Sequence, residues 1–364
     1  MLTAELCRER RQRFWQELHP DPGVDQVRLA DPLHLIYLAN FHVDPVSLNA
    51  GFGGILDLRR DGFTRLIHDD RLKASASKAF CDERVMVPWY DGQHPGKGPR
   101  QLALAGSIPS GDSNLQCHDR PGNPLADSVV STLGRMRRQK YPDELALLQR
   151  CMMATNAGHA WARQNAKPGM TELDVYAGVV GACTRSAGHP VIVYGDFAVC
   201  PGPERRGGAP TDRVIEPGDM LILDYSVVIE GYRSDFTNTL VVGRDPTPDQ
   251  QRIFDLSLAA MTAGEKELRA GASCLNVYNA VRAVFEKAGV AEAFPHHAGH
   301  GIGLTHPEAP FFVRHADESL QTGDVVTLEP GLYLAGIGGL RIERNYLITP
   351  DGFQTLSGHT ITLR

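Results

Sequence analysis

The pattern of apolar and polar residues predicts a β-hairpin in the second half of the chain. Apolar runs cover Met220–Leu223 and Val227–Ile229, a turn signal follows at Glu230-Gly231, and a second β-rich run covers Phe236–Val242. Short apolar runs on either side of a glycine-containing turn are typical of paired antiparallel strands. We therefore expect the two runs to be neighbours in one sheet.

This hairpin carries two acidic residues, Asp224 and Asp235, which lie symmetrically about the midpoint between Ile229 and Glu230. Without a bulge, the two aspartates would face each other across the strand pair with Cβ atoms about 5 Å apart. Two carboxylates at this distance repel each other, so the pair needs a cation or a shared proton.

A second hairpin is predicted from Asp324–Glu329 and Leu340–Ile348, which are joined through the glycine-rich stretch Leu334–Gly339. It also carries two acids, Glu329 and Glu343, which lie symmetrically about Gly336. The chain therefore offers two carboxylate pairs, one on each predicted hairpin.

A histidine segment lies between the two hairpins. It covers His296–Gly303, and the glycines beside His300 would let the backbone approach a site closely. Two aspartates, two glutamates and one imidazole form a donor set that suits divalent Mn, Co, Fe or Zn. Four carboxylates balance two such ions, which at ~3.5–4 Å from each other would lower the pKa of a shared water and polarise a carbonyl. Isolated acids are also common on surfaces, so spacing alone leaves the metal site open.

Four helices are predicted in the same half of the chain. They cover Pro142–Ala166, Thr171–Gly188, Pro248–Ala270 and Ser273–Ala288. The second one opens on Thr171 with Asp174 three residues later, which resembles a capping box. Helices alternating with hairpins are typical of an α+β domain.

We place a domain boundary near Lys140, which gives a smaller α/β domain over 1–140 and an α+β domain over 141–364. The basic run Arg135–Lys140 is expected to be a solvated helix end or an interdomain link. Glycine- and proline-rich segments at His94–Arg100 and Pro109–Pro124 are expected to be loops.

Composition argues against several classes of protein. The net charge of −6 argues against a general nucleic-acid binder, and no apolar run approaches the ~20 residues of a membrane span. Seven cysteines without a CxxC motif favour reduced thiols. Arg10–Trp15 has the arginine pair of an export signal but no apolar segment after it. We therefore expect a cytoplasmic protein with no nucleic-acid or membrane partner.

These motifs resemble those of the pita-bread metallopeptidases, a family that includes Xaa-Pro dipeptidase (prolidase), aminopeptidase P, methionine aminopeptidase and the metal-free creatinase. The matching segments are Asp224, Gly231–Thr237, Gly299–Leu304, Thr327–Tyr333 and Arg341–Glu343. The resemblance covers about Pro142–Leu363 and implies a pita-bread fold for that domain. The first domain is similar only in outline to the creatinase and prolidase amino-terminal domain, mostly at Leu35–Phe41.

The resemblance implies a ligand set and an activity. The implied ligands of two divalent ions are Asp224, Asp235, His300, Glu329 and Glu343. The ions are usually Mn²⁺ or Co²⁺ and sometimes Zn²⁺ or Fe²⁺. The implied reaction is hydrolysis of the bond before a proline in a short peptide by a metal-activated hydroxide, and the implied assembly is a homodimer.

The family pattern also implies roles for the neighbours of these residues. Arg341 would hold the ligand carboxylates in place. Glu329 would act as general base and acid, and His296 and His306 would steady the tetrahedral oxyanion or the leaving nitrogen. His297 is assigned to packing or to support of the ligands.

Two departures from the family pattern leave the substrate open. The histidine that peptidases usually carry is missing near Gly207-Gly208, and Arg205 or Arg206 would bind an acidic substrate group there unless they are solvated loop charges. His306 comes one residue early, which in an extended segment reverses the side-chain direction unless Pro307 bends the chain.

Three interpretations follow. The first is a two-metal peptidase for short Xaa-Pro peptides. The alternative is a non-peptidase reaction of the same fold, such as hydrolysis or lysis of small amides, amidines or betaine-like acids, which the glycine pair fits better. The third is a non-enzymatic peptide-binding module, which would have lost the ligands that this chain retains.

Overall fold

A computed structural model describes residues 1–18, 23–44, 54–87, 117–119, 123 and 125–364. Over this part the chain forms two compact units, Met1–Arg137 and Arg138–Arg364. The predicted loop His94–Arg100 and most of the predicted loop Pro109–Pro124 lie outside the described residues. None of the described helices has the length and apolar character needed to cross a membrane.

The first unit contains a four-stranded sheet in the order β1-β2-β3-β4. Its strands are β1 (Gln26–Leu29), β2 (Gly54–Arg59), β3 (Thr64–Asp69) and β4 (Glu83–Val87), and its helices are α1 (Ala4–Glu17), α2 (Pro32–Ala39), α3 (Lys73–Ser77) and α4 (Ala126–Arg138). Strands β1, β2 and β3 pair antiparallel, and β4 runs parallel to β3. Helix α1 begins where the Thr3 side chain accepts a hydrogen bond from the Leu6 amide, and it buries Phe14 and Trp15.

The second unit combines four helices with two larger sheets and one hairpin. The helices are α5 (Pro142–Asn165), α6 (Glu172–Ala187), α7 (Pro248–Glu265) and α8 (Cys274–Lys287). The strands are β5 (Ile192–Val199), β6 (Met220–Ile229), β7 (Tyr232–Arg233), β8 (Phe236–Val241), β9 (Gly299–Gly301), β10 (Glu308–Phe312), β11 (Val325–Leu328), β12 (Gly331–Leu334), β13 (Gly338–Arg341), β14 (Arg344–Thr349) and β15 (Gly352–Thr355). One sheet has β6 paired with β5, β7 and β8, another has the order β10-β9-β11-β14-β15, and β12 pairs with β13.

The predicted helices are present, with one difference in extent. The capping box of α6 is confirmed, because the Thr171 hydroxyl and the Asp174 carboxylate each accept a hydrogen bond from the other's backbone amide. The predicted end of the third helix at Ala270 is wrong, since α7 ends at Glu265. Tight turns follow, and the Ala270 amide donates to the carbonyl of Thr349 instead of to a helical partner.

The first hairpin is present, but its register differs from the prediction. Its turn has Glu230 and Gly231 as its two central residues, both with positive φ, at 50° and 88°. Asp224 therefore pairs with Thr237 instead of with Asp235. The strand partner of Asp224 is thus two residues later than predicted. Because side chains alternate between the two faces with a period of two, both aspartates keep the predicted face of the sheet.

The second hairpin has the predicted register. Val325 pairs with Leu347 and Leu334 pairs with Gly338, so the same register continues through both halves of the hairpin. The ladder is interrupted between β11 and β12 on one side and between β13 and β14 on the other. The two predicted glutamates lie in these two opposing interruptions.

A hydrophobic core packs α7 and α8 against this hairpin. It is formed by buried side chains that include Met261, Val281, Leu328, Leu340 and Tyr346. On the other sheet, α5 packs against α6 and β6. The two hairpins therefore have a supported outer face, which leaves their inner faces to define a site.

The basic run before α5 is not solvated as predicted. The Arg138 guanidinium donates to both carboxylate oxygens of Asp324, at 3.0 and 2.7 Å. The Lys140 ammonium lies 2.7 Å from Glu308 Oε1, and both of these side chains are buried. The interpretation as a solvated run is wrong because long-range acids, which the local sequence does not reveal, compensate the charges.

Candidate active site

The five predicted ligands come from five separate places in the second unit and converge on one cavity of about 540 Å³. Asp224 lies in β6, Asp235 between β7 and β8, His300 in β9, Glu329 between β11 and β12, and Glu343 between β13 and β14. Four of them lie at or beside breaks in strand pairing or at a short strand. Such positions free a side chain from a regular ladder while its neighbours hold the backbone.

Donor atoms of these residues form three overlapping groups, and within each group the atoms lie within 4.8 Å of one another. The groups are Asp224, Asp235 and Glu343; His300, Glu329 and Glu343; and Asp235, His300 and His306. The first two groups share Glu343, so the carboxylate of this residue belongs to both groups of donor atoms. This is the arrangement expected of a residue that bridges two cations.

Asp235 is held by the opposite hairpin. Its backbone amide donates to Asn345 Oδ1 at 3.2 Å, and its carbonyl accepts from Nδ2 of the same Asn345 side chain. Ser226 Oγ lies 3.4 Å from Asp235 Oδ1. Asn345 thus satisfies the backbone of Asp235 where the ladder is interrupted.

His300 is oriented by its own backbone neighbourhood. Its Nδ1 lies 2.9 Å from the carbonyl oxygen of Gly301, so Nδ1 carries the proton and Nε2 is free to accept a cation. Nε2 lies 3.5 Å from both Asp235 Oδ2 and Glu329 Oε1. A Cβ at Gly299 would lie 2.2 Å from the Thr327 carbonyl oxygen, which confirms that glycine permits the close backbone approach.

The glutamate pair is buried and unequal in its hydrogen bonds. Glu343 Oε2 accepts from Thr237 Oγ1 at 2.7 Å, whereas Glu343 Oε1 has no hydrogen-bond partner. Glu329 Oε1 lies 3.2 Å from both Thr327 Oγ1 and His297 Nδ1. A buried carboxylate oxygen without a donor is costly and indicates a position for a cation.

Electrostatics of the pair support the same conclusion. Burial, followed by the negative charges of Asp235, Glu329 and Asp224, raises the pKa of Glu343 well above its ordinary value. Burial alone would raise the pKa of Glu329 as well, but His297 and His300 outweigh it and hold that pKa low. Glu343 therefore favours a proton or a cation at its carboxylate. The donor set and the unpaired oxygen fit divalent ions, which would relieve this repulsion.

Arg341 contacts one of the five predicted ligands, Asp224. It is buried and donates hydrogen bonds to Asp224 Oδ2, to Asp196 Oδ2 at 2.7 Å and to the Tyr333 hydroxyl oxygen at 2.7 Å. Burial alone would lower the pKa of Arg341, but the neighbouring Asp224 and the other anionic partners raise it well above its ordinary value. The guanidinium therefore stays charged and joins two carboxylates.

Asp196 is a site residue that the sequence analysis missed. It lies on β5 directly opposite Asp224, and its Oδ1 accepts a hydrogen bond from the Gly208 amide at 2.8 Å. Burial, then repulsion by Asp224, raises its pKa. The apolar run that forms β5 would have revealed the strand, but only the register of β5 on β6 shows which residue faces the site.

His306 reaches the cavity although it comes one residue early in the sequence. Its Nε2 lies 2.7 Å from Asp235 Oδ2. Burial alone would lower the pKa of His306, but the hydrogen bond and the charge of Asp235 raise it. The side chain is therefore directed into the site, which is the outcome expected if Pro307 bends the chain.

The other two histidines also line the cavity. His296 Nδ1 lies 2.8 Å from the His297 carbonyl oxygen, and its Nε2 lies 3.4 Å from the Tyr333 hydroxyl. Burial lowers the pKa of His296 to about 4, so this ring is neutral. Of the two alternatives for His297, the structure favours support of the ligands over packing, because its side chain is 40% exposed in the cavity and its Nδ1 lies 3.2 Å from Glu329 Oε1.

The two candidate substrate arginines have different environments. Arg205 donates two hydrogen bonds to the fully buried carboxylate of Glu172, both at 2.8 Å, so it is neither a solvated charge nor a cavity residue. Arg206 lines the cavity, and its guanidinium carbon lies 5.9 Å from the ring centroid of Tyr333. Of the pair, Arg206 alone is placed to meet a ligand.

Comparisons with known proteins agree with this geometry. The sequence profile described as Metallopeptidase family M24 matches residues 146–350. A probable dipeptidase PepE of Mycobacterium bovis is 31% identical over 305 residues, which cover 78% of this chain and 77% of that protein. The crystal structure of dipeptidase PepE from Mycobacterium ulcerans aligns with a TM-score of 0.75 and 26% identity over 100% of this chain and 98% of that chain. An Xaa-Pro dipeptidase from Bacillus anthracis aligns with a TM-score of 0.76 and 24% identity over 99% of both chains, which shows a shared fold.

The comparisons confirm two predictions from the sequence. The α+β class with a pita-bread domain is confirmed, and so is the class of enzyme, a metal-dependent peptidase. The match covers more than half of the chain, and it includes every segment that carries the site. The chain belongs to metallopeptidase family M24.

Proposed function

We propose that this chain is a two-metal peptidase that cleaves the Xaa-Pro bond of short peptides, dipeptides above all. The observation that carries the proposal is the convergence of the five predicted ligands on one cavity, with a shared Glu343 whose Oε1 has no donor. A cavity of about 540 Å³ is within the range for small ligands and suits a dipeptide. The names of the PepE and Xaa-Pro dipeptidase relatives support the same class of substrate.

The donor atoms favour two positions for divalent ions. Asp224, Asp235 and Glu343 would hold one ion, and His300, Glu329 and Glu343 would hold the other. When bound, such ions lower the pKa of a water molecule and polarise the substrate carbonyl. Mn²⁺ or Co²⁺ is our proposed occupant, with Zn²⁺ or Fe²⁺ as alternatives, since all four accept carboxylate and imidazole ligands.

Proton transfer would fall to Glu329. Its carboxylate is buried and lies 3.2 Å from His297 Nδ1 and 3.5 Å from His300 Nε2. A carboxylate in this environment would accept a proton from water and deliver it to the leaving nitrogen, as general base and then general acid.

The neighbouring histidines would stabilise the reacting groups. His306, which borders the cavity beside Asp235, would donate to the developing oxyanion or to the leaving nitrogen. His296 is neutral and half-buried, and it would act from the opposite wall near Tyr333. Arg341 would hold the Asp224 carboxylate in its orientation through the hydrogen bond to Oδ2.

Arg206 would bind the carboxylate end of the substrate. It carries no carboxylate partner among the described residues, and it lines the cavity beside the ring of Tyr333. A free carboxylate matches the planar fork of a guanidinium. This role would favour dipeptides, whose terminal carboxylate lies close to the scissile bond.

A second candidate function has one observation in its favour. The space beside Gly207, where family peptidases usually carry a histidine, is taken by Asp196. An extra carboxylate would suit a cationic small substrate, so a non-peptidase reaction on small amides or betaine-like acids is the alternative. The homodimer and the cytoplasmic location stay predictions from the sequence.

The test compares substrates on protein reconstituted with Mn²⁺ or Co²⁺. We expect release of proline from Ala-Pro and Met-Pro, measured by chromatography, and much slower cleavage of Ala-Ala. Glu343→Gln should abolish the activity, whereas Asp255→Asn, at an exposed position of α7, should leave it intact. Turnover of small amides or betaine-like acids without cleavage of any proline peptide would replace the proposal by the alternative.

A further inference from the structure

The first unit contains a cleft of about 770 Å³ between α1, the β2–β3 turn and the segment that leads into β4. Five arginines line it, and they are Arg8, Arg11, Arg59, Arg60 and Arg84. Arg8 and Arg11 lie three residues apart on α1, on the face that also carries Trp15 towards the cleft. The cleft therefore gathers positive charge from three separate elements of the unit.

Within the described residues, these five charges are not neutralised by ion pairs. Other arginines of the unit pair with acids, such as Arg13 with Glu17 and Arg65 with Glu83. In the described part of the chain, no carboxylate lies within 4.0 Å of any guanidinium nitrogen of the five cleft arginines. One acid, Asp82, lines the cleft, and its carboxylate accepts hydrogen bonds from Thr64.

Neutral groups hold two of these guanidiniums in place. Arg11 donates to two carbonyl oxygens, the nearer of which belongs to Leu38 at 2.7 Å. Arg84 donates to the carbonyl oxygens of Ala76 at 2.8 Å and Ala79 at 2.5 Å. Carbonyl acceptors fix the orientation of a guanidinium but leave its charge uncompensated, and each guanidinium keeps further N–H donors.

Aromatic rings stack against two further arginines of the cleft. The Arg60 guanidinium carbon lies 4.9 Å from the ring centroid of Trp15, and that of Arg59 lies 4.8 Å from the ring centroid of Phe63. Stacking restricts a long side chain while its edge N–H groups stay available. The positive side chains are thus largely ordered before any ligand binds, which lowers the entropic cost of binding.

We propose that this arginine cleft binds a small organic polyphosphate, such as a nucleoside di- or triphosphate. Guanidinium forks match phosphate oxygens in pairs, and the excess of four positive charges over Asp82 balances the charge of a triphosphate. The volume falls in the range of small-ligand sites. A long nucleic acid is disfavoured because the whole chain carries a net charge of −6.

The test is a binding titration of ATP and inorganic tripolyphosphate against the full-length protein, stripped of metals so that the catalytic centre does not bind phosphate. We expect dissociation constants in the micromolar range, and at least a tenfold loss of affinity in the double variant Arg8→Gln/Arg59→Gln. These two side chains are exposed, so the variant should fold, and an unchanged melting temperature checks this. The matched control is Arg13→Gln on the same helix, which should bind like the parent protein.

Several results would overturn the proposal. They are no detectable binding of either probe at millimolar concentration, equal affinity in the double variant and the control, citrate binding as tightly as tripolyphosphate, or a short DNA duplex binding more tightly than ATP. Peptide hydrolysis by the metal-loaded double variant should be unchanged in the absence of ATP. Failure of the cleft proposal therefore leaves the proposed peptidase activity untouched.

Discussion

Asp196 occupies the space that a side chain at Gly207 would need. A Cβ placed on Gly207 would lie 2.0 Å from Asp196 Oδ2, and the neighbouring Gly208 amide donates to Oδ1 of the same carboxylate at 2.8 Å. Arg341 fixes the second oxygen at 2.7 Å. A side chain at position 207 and the Asp196 carboxylate in its present place therefore exclude each other.

This steric overlap predicts the outcome of placing a histidine at position 207. Gly207→His alone should lower the free energy of unfolding by about 1–3 kcal/mol, because the new side chain overlaps Asp196. Asp196→Gly alone should also cost stability, because Arg341 loses a carboxylate partner. In that background, however, Gly207→His should cost little more, since the overlap is gone. Urea unfolding of the parent protein, both single variants and the double variant measures the effect. An equal cost of Gly207→His in the two backgrounds would contradict the steric account.

Asp235→Asn tests the assignment of the ligands. The change keeps the size of the side chain but removes a charge that belongs to one proposed cation position and that contacts His306. We expect the loss of about one metal equivalent and a fall in kcat of roughly 100-fold or more. Metal analysis by mass spectrometry and the rate of proline release measure the two effects. The control is Asp255→Asn, and a fully active, metal-replete Asp235→Asn would refute the assignment.

Arg205 and Arg206 are neighbours with opposite expected effects. Arg205→Gln leaves the buried carboxylate of Glu172 without its cationic partner, so it should cost about 3 kcal/mol of unfolding free energy. Burial alone would raise the pKa of Glu172, but Arg205, the Val199 amide and Thr211 lower it. The stabilisation is therefore present above pH ~4.3 and is lost as the pH falls through the lower folded pKa.

Arg206→Gln should instead leave stability within about 0.5 kcal/mol of the parent and raise KM for Xaa-Pro dipeptides. Its side chain is exposed and donates only to the Pro203 carbonyl at 3.1 Å. Steady-state kinetics and urea unfolding of the two variants separate the roles. If Arg206→Gln destabilised the fold and Arg205→Gln raised KM alone, the two assignments would have to be exchanged.

Two stacked histidines predict a loss of stability in mild acid. The rings of His159 and His359 lie 5.0 Å apart. Burial lowers the pKa of His159 to about 4 and also holds the pKa of His359 far below its ordinary value. Between about pH 4 and 6.5 the unfolded chain binds more protons than the folded one, so the free energy of unfolding falls as the pH falls. Each ring contributes a loss of about 2 kcal/mol between pH 7 and pH 5.

Urea unfolding at pH 7 and pH 5 tests this pair. His359→Phe should reduce the difference between the two pH values, even if the variant is less stable at both because it loses the hydrogen bond to the Thr237 carbonyl. His315→Gln is the control, since His315 is exposed, and its pH response should match that of the parent. A pH response in His359→Phe equal to that of the parent would exclude a contribution from this ring.

Hairpin register illustrates how far the sequence determines the site. The second hairpin was predicted correctly because its glycine-rich turn, Leu334–Gly339, lies symmetrically between two apolar runs. The first was displaced because the centre of its turn is Glu230-Gly231, one residue later than the assumed midpoint. Gly231 marks that position, since a two-residue turn of this kind needs positive φ at both places.

Other parts of the site depend on contacts that no local pattern records. Asp196 meets Arg341 across 145 residues, and Arg205 meets Glu172 across 33 residues. An isolated acid or arginine in a sequence gives no indication of a buried partner so far away. The metal-ligand motifs were recognisable because each has its own local signature, whereas these supporting pairs are specified only by strand register and packing.

The contacts of Asn345 bear on how metal ions bind to the site. Its side chain bonds both the amide and the carbonyl of Asp235, and Thr237 bonds Glu343 through both its hydroxyl and its carbonyl. These hydrogen bonds join one hairpin to the other, and they form without a metal ion. The site is therefore already assembled before cations bind, and chelation should remove the ions without unfolding the protein.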